Sequence, residues 1–383
     1  MTKKILVSDL EYGEEEAKAV VSVIRSEWMT MGPITNQFEK LFAQYVESPF
    51  AIATSSGTAA LHLSIMEAGI SSNDEVITTP ISFVATANCV LYEGARPVFA
   101  DIDPLTWNIN PEAIRNSITS KTKAIIAVHL GGLPIDVNEI IEICEEKDLV
   151  LIEDAAHAIG SQYKNKHVGR FGDYGCFSFF SNKNLSTGEG GMIIVQNADK
   201  SENLLIRRSH GLTKSTWSRH INSVQEEDNL YDMTLLGYNY RIGEVQAALG
   251  IQQLKKIDKM NDQRRKIYDY YCRLIEEEKL SSFIQIQEIP KNVTHAHHIF
   301  PIILKKGNRR EFRSFLHKSG IQTSIHYTPI PAFSYYRNLN YDVSKYPVAN
   351  NYGKRAVTLP LHQKLTYKDV DYIISTMKVF FKN

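Results

Sequence analysis

Lys183 is the side chain in this sequence that is best placed for covalent chemistry. It follows a short aromatic strand and enters a polar, glycine-rich loop over residues 184–191, which leads into an apolar strand. An amine on such a loop can reach a bound ligand and form a Schiff base with a carbonyl group. The same loop also suits an ordinary solvent-exposed lysine, so by itself it leaves both interpretations open.

The segment 54–60 is a candidate anion site. It reads Thr-Ser-Ser-Gly-Thr-Ala-Ala between a predicted strand and a predicted helix. Hydroxyl groups and free backbone N–H groups at the start of a helix bind phosphate. Ser and Thr are also common helix caps without any ligand, so this segment is ambiguous too. It contains neither G-x-x-x-x-G-K-[ST] nor G-x-G-x-x-G, which argues against a nucleoside-triphosphate loop and a dinucleotide fingerprint.

Two acids, Glu153 and Asp154, end the apolar run 149–152, and His157 follows three residues later. A buried carboxylate at this point is costly unless it meets a cation. A protonated pyridine nitrogen is one such cation, and a magnesium ion is another. An acidic helix cap is the alternative without a ligand. His157 could face the same ligand, although a lone histidine is more often structural.

Phe83 follows the end of another predicted strand, and Ser178 precedes Lys183 by five residues. Phe83 could stack on a flat heterocycle, although a phenylalanine at such a place is more often part of the core. Together, these segments supply an amine, an anion site, a carboxylate and an aromatic surface. That set matches pyridoxal phosphate, whose aldehyde needs an amine, whose phosphate needs an anion site and whose ring nitrogen needs a carboxylate to stay protonated.

The elements that must position these residues alternate between short apolar strands and helices. Strands are predicted at 51–53, 75–79, 97–100, 124–128, 150–152, 176–180 and 192–195, and helices at 58–68 and 84–92. The strands are apolar on both faces, so we predict an α/β fold with a mostly parallel central sheet between layers of helices. In such sheets, ligands bind at the carboxyl ends of the strands, where the candidate residues fall.

The pattern changes near residue 242. Residues 242–278 predict an almost continuous helix, which is long enough to bridge two domains. After it, strands are predicted at 298–304 and 323–327, and helices at 309–319 and 366–380. We therefore expect a large α/β domain over residues 1–250, including the N-terminal segment, and a smaller α+β domain over residues 251–383.

Composition narrows the classes of partner. The chain has 43 basic and 43 acidic residues among 383, and this balance argues against a nucleic-acid partner. The basic cluster at 305–310 is interpreted as a solvated turn. No membrane-length apolar stretch or signal-peptide pattern occurs, and the four cysteines lack C-x-x-C spacing, so a cytoplasmic protein is expected. The histidines at 295, 297 and 298 lack an acid or cysteine partner, so no metal site is predicted.

The order of these motifs resembles the DegT/DnrJ/EryC1/StrS aminotransferases, which are sugar-nucleotide aminotransferases of the type I PLP-dependent fold. The resemblance covers nearly the whole chain. The matching motifs are Trp-Met-Thr-Met-Gly-Pro at 28–33, Ser-Gly-Thr-Ala-Ala-Leu at 56–61, Glu-Asp-Ala-Ala-His-Ala at 153–158, Lys-Asn-Leu at 183–185, Thr-Gly-Glu-Gly-Gly at 187–191, Gly-Tyr-Asn-Tyr-Arg at 237–241, His-Tyr at 326–327 and Leu-Pro-Leu-His at 359–362.

The resemblance implies a role for each matching residue at the cofactor. Lys183 would bind pyridoxal 5′-phosphate covalently and move protons, and Asp154 would pair with the pyridine nitrogen. The phosphate would be held by Gly57, Thr58 and Ser178.

Further roles follow from the same resemblance. Phe83 would stack on the ring and His157 would lie beside it, while His326 and Tyr327 would bind the substrate. Asn239 matches an asparagine that reaches the phosphate of the other subunit in relatives. The resemblance therefore implies a homodimer with shared active sites.

In the implied reaction, L-glutamate donates the amino group and a keto sugar nucleotide accepts it. The product would serve the biosynthesis of cell-surface polysaccharide or glycoconjugate. His157, where some members have glutamine, indicates a 4-keto-6-deoxyhexose acceptor. A 3-keto acceptor is the alternative. A sugar dehydratase of this fold would replace Lys183 with histidine, and a regulator without catalysis would have lost cofactor residues, which are all present.

Overall fold

A computed structural model of the chain describes residues 4–214, 217, 220 and 231–382. Its centre is a seven-stranded sheet with the order β1-β9-β8-β5-β4-β2-β3, in which β9 is antiparallel to both of its neighbours and the other pairings are parallel. The thirteen strands named in this description are β1 (Phe50–Thr54), β2 (Glu75–Thr78), β3 (Arg96–Phe99), β4 (Thr122–Val128), β5 (Val150–Asp154), β6 (Gln162–Tyr163), β7 (Lys166–His167), β8 (Tyr174–Ser178), β9 (Gly191–Val195), β10 (Ile284–Ile286), β11 (Val293–Thr294), β12 (Phe300–Leu304) and β13 (Ala356–Leu359).

The helices named in this description cover the central sheet in the first two thirds of the chain and pack in a second core towards its C-terminus. They are α1 (Glu14–Arg25), α2 (Pro33–Val46), α3 (Gly57–Glu67), α4 (Ala85–Tyr92), α5 (Pro111–Ser117), α6 (Val137–Lys147), α7 (Ala198–Arg208), α8 (Glu244–Leu254), α9 (Ile257–Glu277), α10 (Arg309–Lys318), α11 (Ser334–Asn338), α12 (Pro347–Arg355) and α13 (Tyr367–Lys382). Strands β2 and β9 are buried along their whole length, as expected for strands between two helix layers. The prediction of a mostly parallel sheet between helices is confirmed.

The helix predicted almost throughout 242–278 is interrupted near its middle. It divides into α8 and α9, with a turn at Lys255 and Lys256 between them. Helix α8 packs on α1 and α2, whereas α9 continues into the C-terminal part of the chain. The local hydrophobic pattern does not reveal the turn between the two helices.

A second core lies around the antiparallel sheet β10-β12-β13. Tyr271 of α9 and Phe312 of α10 pack in this core with residues of α13, and Ile5 near the N-terminus also joins it. Helix α9 contributes to both cores, because Ile257 belongs to the cluster beneath the large sheet. The domain boundary at residue 250 therefore stays a prediction.

The predicted strand over 323–327 is wrong. Only Ser324 pairs, through two backbone hydrogen bonds with Thr358 of β13. Side chains occupy the neighbouring carbonyl oxygens: Arg313 donates to Thr323 at 3.1 Å, and Tyr352 donates to His326 at 2.5 Å. The segment is therefore held by side-chain donors instead of a strand ladder.

Among the described helices, none is both long and apolar enough to span a bilayer.

Candidate active site

A cavity of about 390 Å³ opens where β1, β5 and β8 end. It is lined by nine residues selected from the sequence: Gly57, Thr58, Phe83, Asp154, His157, Ser178, Lys183, His326 and Tyr327. These residues come from four strand ends, the lysine loop and the segment before α11. The structure thus brings together every predicted site residue except Asn239.

Lys183 projects into this cavity from the loop after β8. Its backbone N–H donates to the carbonyl oxygen of Phe180 at 2.9 Å, so the loop turns tightly at the lysine. Burial lowers the pKa of the Lys183 ammonium to about 8, against the opposing influence of the Asp154 carboxylate. Near neutral pH, a larger fraction of this amine than of an ordinary lysine is therefore unprotonated and able to act as a nucleophile or base.

Asn184 fixes the lysine loop to the C-terminal half of the chain. Its Nδ2 donates to Asn261 Oδ1 and to the carbonyl oxygen of Ala296, both at 2.8 Å. Its Oδ1 then faces His298 Nδ1 at 2.9 Å, so that nitrogen carries the proton. These positioning partners lie 77 to 114 residues away in sequence, and nothing in the local pattern could have identified them.

Glu153 and Asp154 point to opposite sides of β5, as successive residues of a strand must. Glu153 is completely buried and accepts from His129 Nε2 at 3.0 Å. It also accepts three backbone N–H groups of the segment 169–172, each at 2.7 Å. Its pKa is lowered, because these hydrogen bonds and His129 together outweigh the desolvation that burial imposes. Glu153 is thus fully engaged in holding the turn before β8.

Asp154 faces the cavity with fewer partners. Its Oδ2 accepts from Thr86 Oγ1 at 2.7 Å, and its Oδ1 accepts from the backbone N–H of Ala156 at 3.2 Å. Burial raises the pKa of Asp154, against the hydrogen bonds and the charge of Lys183. A buried carboxylate in this condition is stabilised by a cation that enters the cavity.

Thr86 was not identified from the sequence, although it directs this carboxylate. Because the Thr86 hydroxyl donates to Asp154, its oxygen can accept from Ser82, whose Oγ lies 2.7 Å away. Both hydroxyls are buried at the start of α4, in the turn that also carries Phe83. The i to i+4 spacing of Ser82 and Thr86 was the only sequence signal for this pair.

His157 has a tautomer that the structure defines. Its Nδ1 accepts the backbone N–H of Gly131 at 3.2 Å, so the hydrogen of the neutral ring is on Nε2. Nε2 lies 2.9 Å from the hydroxyl oxygen of Tyr327 and donates to it. Burial lowers the pKa of His157 far below its usual value, which keeps the ring neutral. The hydroxyl hydrogen of Tyr327 is then available to a ligand in the cavity.

The predicted phosphate-binding residues lie at the start of α3 and the end of β8. Ser56 caps the helix by accepting from the N–H of Ala59 at 3.1 Å, whereas the N–H groups of Gly57 and Thr58 have no partner within the helix. A Cβ at Gly57 would lie 2.8 Å from Ser178 Cβ, so only glycine lets the Ser178 hydroxyl approach this helix end. The two elements together form a cradle suited to an anion.

Phe83 stands at the mouth of the cavity, with 58% of its surface exposed. It also lines a neighbouring cavity of about 820 Å³, which shares Ser82, His326 and Tyr327 with the first. Tyr92, Phe333, Tyr335 and Tyr336 give this second cavity an aromatic wall. The second cavity therefore offers room for a large ligand part beside the lysine.

Asn239 lies apart from both cavities. It is exposed, and its backbone bridges to Ser209. Its function toward another subunit stays a prediction. The histidines at 295 and 297 stack on each other at 4.3 Å, and no group of three or more metal-ligand side chains occurs in the described ranges 4–214 and 231–382.

The chain is similar to known proteins over almost its whole length. A model of the DegT/DnrJ/EryC1/StrS aminotransferase family matches residues 11–378. The spore coat polysaccharide biosynthesis protein SpsC of Bacillus subtilis is 35% identical over 384 residues, which covers 97% of this chain and 95% of the relative. GDP-perosamine synthase of Escherichia coli O157:H7 is 33% identical over 371 residues, which covers 96% of each chain.

A solved structure is similar over the same length. The putative sugar aminotransferase Spr1654 from Streptococcus pneumoniae, in its PLP form, superimposes with a TM-score of 0.91 at 29% identity, covering 98% of each chain. Its PMP form superimposes with the same TM-score.

Proposed function

Since the chain belongs to the DegT/DnrJ/EryC1/StrS aminotransferase family, we propose that it moves the amino group of L-glutamate to the keto group of a nucleotide-linked 4-keto-6-deoxyhexose. The chain is a PLP-dependent sugar aminotransferase with the type I fold. The donor and the position of the keto group belong to the proposal.

The cavity fits pyridoxal phosphate in each of its parts. The Gly57 cradle would be filled by any larger residue, Asp154 is a buried carboxylate in need of a cation, and Lys183 has a pKa of about 8. When bound, the cofactor supplies an aldehyde that carries the amino group and a ring that accepts electrons from the substrate carbon. The described residues beside it supply the binding and the proton transfers.

Each residue contributes through a specific atom. Lys183 Nζ would take up and hold the proton that leaves the substrate carbon, for which a pKa of about 8 is well suited. Asp154 keeps the ring nitrogen protonated through its carboxylate, which Thr86 holds in place. The Gly57 and Thr58 N–H groups and the Ser178 hydroxyl bind the phosphate. Tyr327 directs its hydroxyl hydrogen toward the substrate.

The convergence of Lys183, Asp154 and the Gly57–Ser178 cradle in one cavity carries this proposal. The large aromatic cavity beside it provides space for a nucleotide-linked sugar. His157, which lines the cofactor cavity, supports the 4-keto acceptor through the family resemblance. The names of GDP-perosamine synthase and SpsC support a nucleotide-linked sugar and a polysaccharide pathway.

We also infer a cytoplasmic homodimer in which Asn239 contributes to the cofactor site of the other subunit. Its exposed position outside its own cavity supports this role. Sedimentation of the active enzyme as a monomer would contradict it.

The test is a panel assay on the purified protein. Glutamate, glutamine, aspartate and alanine serve as donors, and matched 3-keto and 4-keto sugar nucleotides as acceptors. We expect 2-oxoglutarate and a 4-amino sugar nucleotide, detected by mass spectrometry, with no product from Lys183→Ala. Amination of only the 3-keto acceptor would overturn the assignment of the acceptor, and a different preferred donor would overturn the assignment of glutamate.

A further inference from the structure

A further cavity, lined mainly by polar residues, lies beside the segment 322–325 and shares no lining residue with the cavity around Lys183. It has a volume of about 510 Å³. Its walls are the exposed face of α10, Lys4 near the N-terminus and the segment 322–325. Four side chains with permanent positive charge line it, Lys4, Arg309, Arg310 and Arg313, and His317 adds a fifth basic group. No carboxylate is among its lining residues.

This concentration of positive charge is not a consequence of composition, since the chain has equal numbers of basic and acidic residues. Within the described part of the chain, no carboxylate forms an ion pair with Arg309, Arg310 or Arg313. Glu311, the acid of the same helix turn, lines a different cavity. The cations therefore repel one another without compensation from the protein, and an anion would relieve that repulsion.

Two of the guanidinium groups are held in place. Arg313 Nε donates to Thr323 Oγ1 at 3.1 Å, and its Nη2 donates to the Thr323 carbonyl oxygen at 3.1 Å. Arg309 Nη1 donates to the carbonyl oxygen of Gly353. Burial and the nearby charge of Arg313 both lower the pKa of Arg309. Fixed arginines lose little entropy on binding a ligand and suit the paired oxygens of phosphate groups.

We propose that this cavity binds the diphosphate group of a small anionic ligand. A diphosphate carries more negative charge than a single phosphate and therefore suits a cavity with four permanent cations better. The Ser314 hydroxyl at the cavity wall can add a neutral hydrogen-bond donor. The ligand is either inorganic diphosphate or a nucleoside diphosphate, which share this chemistry. The site is separate from the cofactor cradle, which α3 and β8 form.

The test is calorimetric titration of the holoenzyme with inorganic pyrophosphate at low salt. The bound cofactor fills the cradle at Gly57, so the titration reports on other sites. We expect saturable binding that weakens as salt is raised, and Arg313→Gln should weaken it about tenfold or more. Arg310 is exposed, so Arg310→Gln should leave the fold intact. This variant should also weaken pyrophosphate binding, which separates loss of the site from a folding defect in Arg313→Gln.

Lys318→Gln is the matched control. Lys318 is exposed on the same helix, and its loss changes the net charge equally, but it does not line the cavity. Binding should stay within about twofold in this variant. A loss equal to that of Arg310→Gln would overturn the proposal, because binding would then follow net charge alone. No saturable binding of pyrophosphate at millimolar concentration would also overturn it.

Titration with GDP and UDP distinguishes the two sources of the diphosphate. Tighter binding of a nucleotide than of pyrophosphate, with the loss in Arg313→Gln retained, would assign the site to a nucleoside diphosphate. Equal or weaker nucleotide binding would assign it to inorganic diphosphate. Both results support the site. A nucleotide affinity that is the same in wild type and Arg313→Gln would overturn a nucleoside diphosphate as the ligand of this cavity.

Discussion

On one side of β5, Glu153 accepts four hydrogen bonds, from His129 and from backbone N–H groups of the segment 169–172. On the other side, the neighbouring Asp154 accepts two, from Thr86 and Ala156. The pKa of the first carboxylate is lowered and that of the second is raised. The two adjacent buried acids thus differ in how many hydrogen bonds the protein itself donates to their carboxylates. Glu153 is engaged in holding the fold, whereas Asp154 is the residue that we propose pairs with the cofactor.

The largest effect is expected on activity. Asp154→Asn should reduce kcat by about 10²–10³-fold, because the ring nitrogen loses the charge that holds its proton. The free energy of unfolding of the apoprotein should stay equal or rise, since a strained buried charge is removed. Steady-state kinetics and denaturant unfolding on the same preparation measure both quantities. If the Asp154→Asn apoprotein had a much lower free energy of unfolding than the wild type, Asp154 would be a residue that stabilises the fold, like Glu153.

The converse substitution, Glu153→Gln, should act on stability. An amide nitrogen cannot accept the N–H groups that Oε1 and Oε2 now accept, so buried donors lose their partners. The expected loss in the free energy of unfolding is about 3 kcal/mol. Asp173→Asn, a nearby carboxylate that is partly exposed, is a control for the loss of one charge. The comparison fails if Glu153→Gln unfolds like the wild type.

This division could be predicted only in part from the sequence. The strand pattern placed Glu153 and Asp154 at a strand end, and the family resemblance selected Asp154. The donors that satisfy Glu153 come from a turn 16 to 19 residues later, and His129 comes from another strand end. Such partners are set by the pairing of strands, which hydrophobic periodicity does not encode.

The same limit explains the two departures of the fold from its prediction. The break at Lys256 falls where the chain passes from α8, which packs beneath the large sheet, to α9, which joins both that cluster and the C-terminal core. The segment 323–327 fails to form a strand because Arg313 and Tyr352 take its carbonyl oxygens. In contrast, the strands of the central sheet were predicted well, because their burial on both faces gives a continuous apolar run.

The pH dependence of stability should have opposite slopes for the two acids. The lowered pKa of Glu153 contributes stability above its ordinary value of 4.5, and this contribution is lost as the pH falls through the folded-state pKa. The raised pKa of Asp154 contributes stability below its ordinary value of 3.8, and this is lost as the pH rises through the folded-state pKa. As the pH falls, the free energy of unfolding of the wild type should lose its excess over that of Glu153→Gln. Relative to Asp154→Asn, the free energy of unfolding of the wild type should rise. Equal slopes for the two differences would contradict the comparison.

A smaller effect is expected from Thr86→Val. This change removes the hydroxyl that donates to Asp154 at 2.7 Å but keeps the shape of the side chain. We expect about a tenfold loss in kcat/KM, as for one hydrogen bond to a charged group. Ser82→Ala, one step further along the chain of hydroxyls, should cost less. An equal or larger loss in Ser82→Ala would show that the hydroxyl pair does not act through Asp154.

The central claim is that Lys183 binds the cofactor in the cavity that Asp154 faces. Borohydride makes a bond between lysine and pyridoxal phosphate permanent, so the reduced protein can be digested and its peptides weighed. The account predicts the cofactor mass on the peptide that contains Lys183, and none on the peptide of Lys200, which forms an ion pair with Asp173. Cofactor mass on another lysine, or on no peptide of a protein saturated with pyridoxal phosphate, would contradict the account.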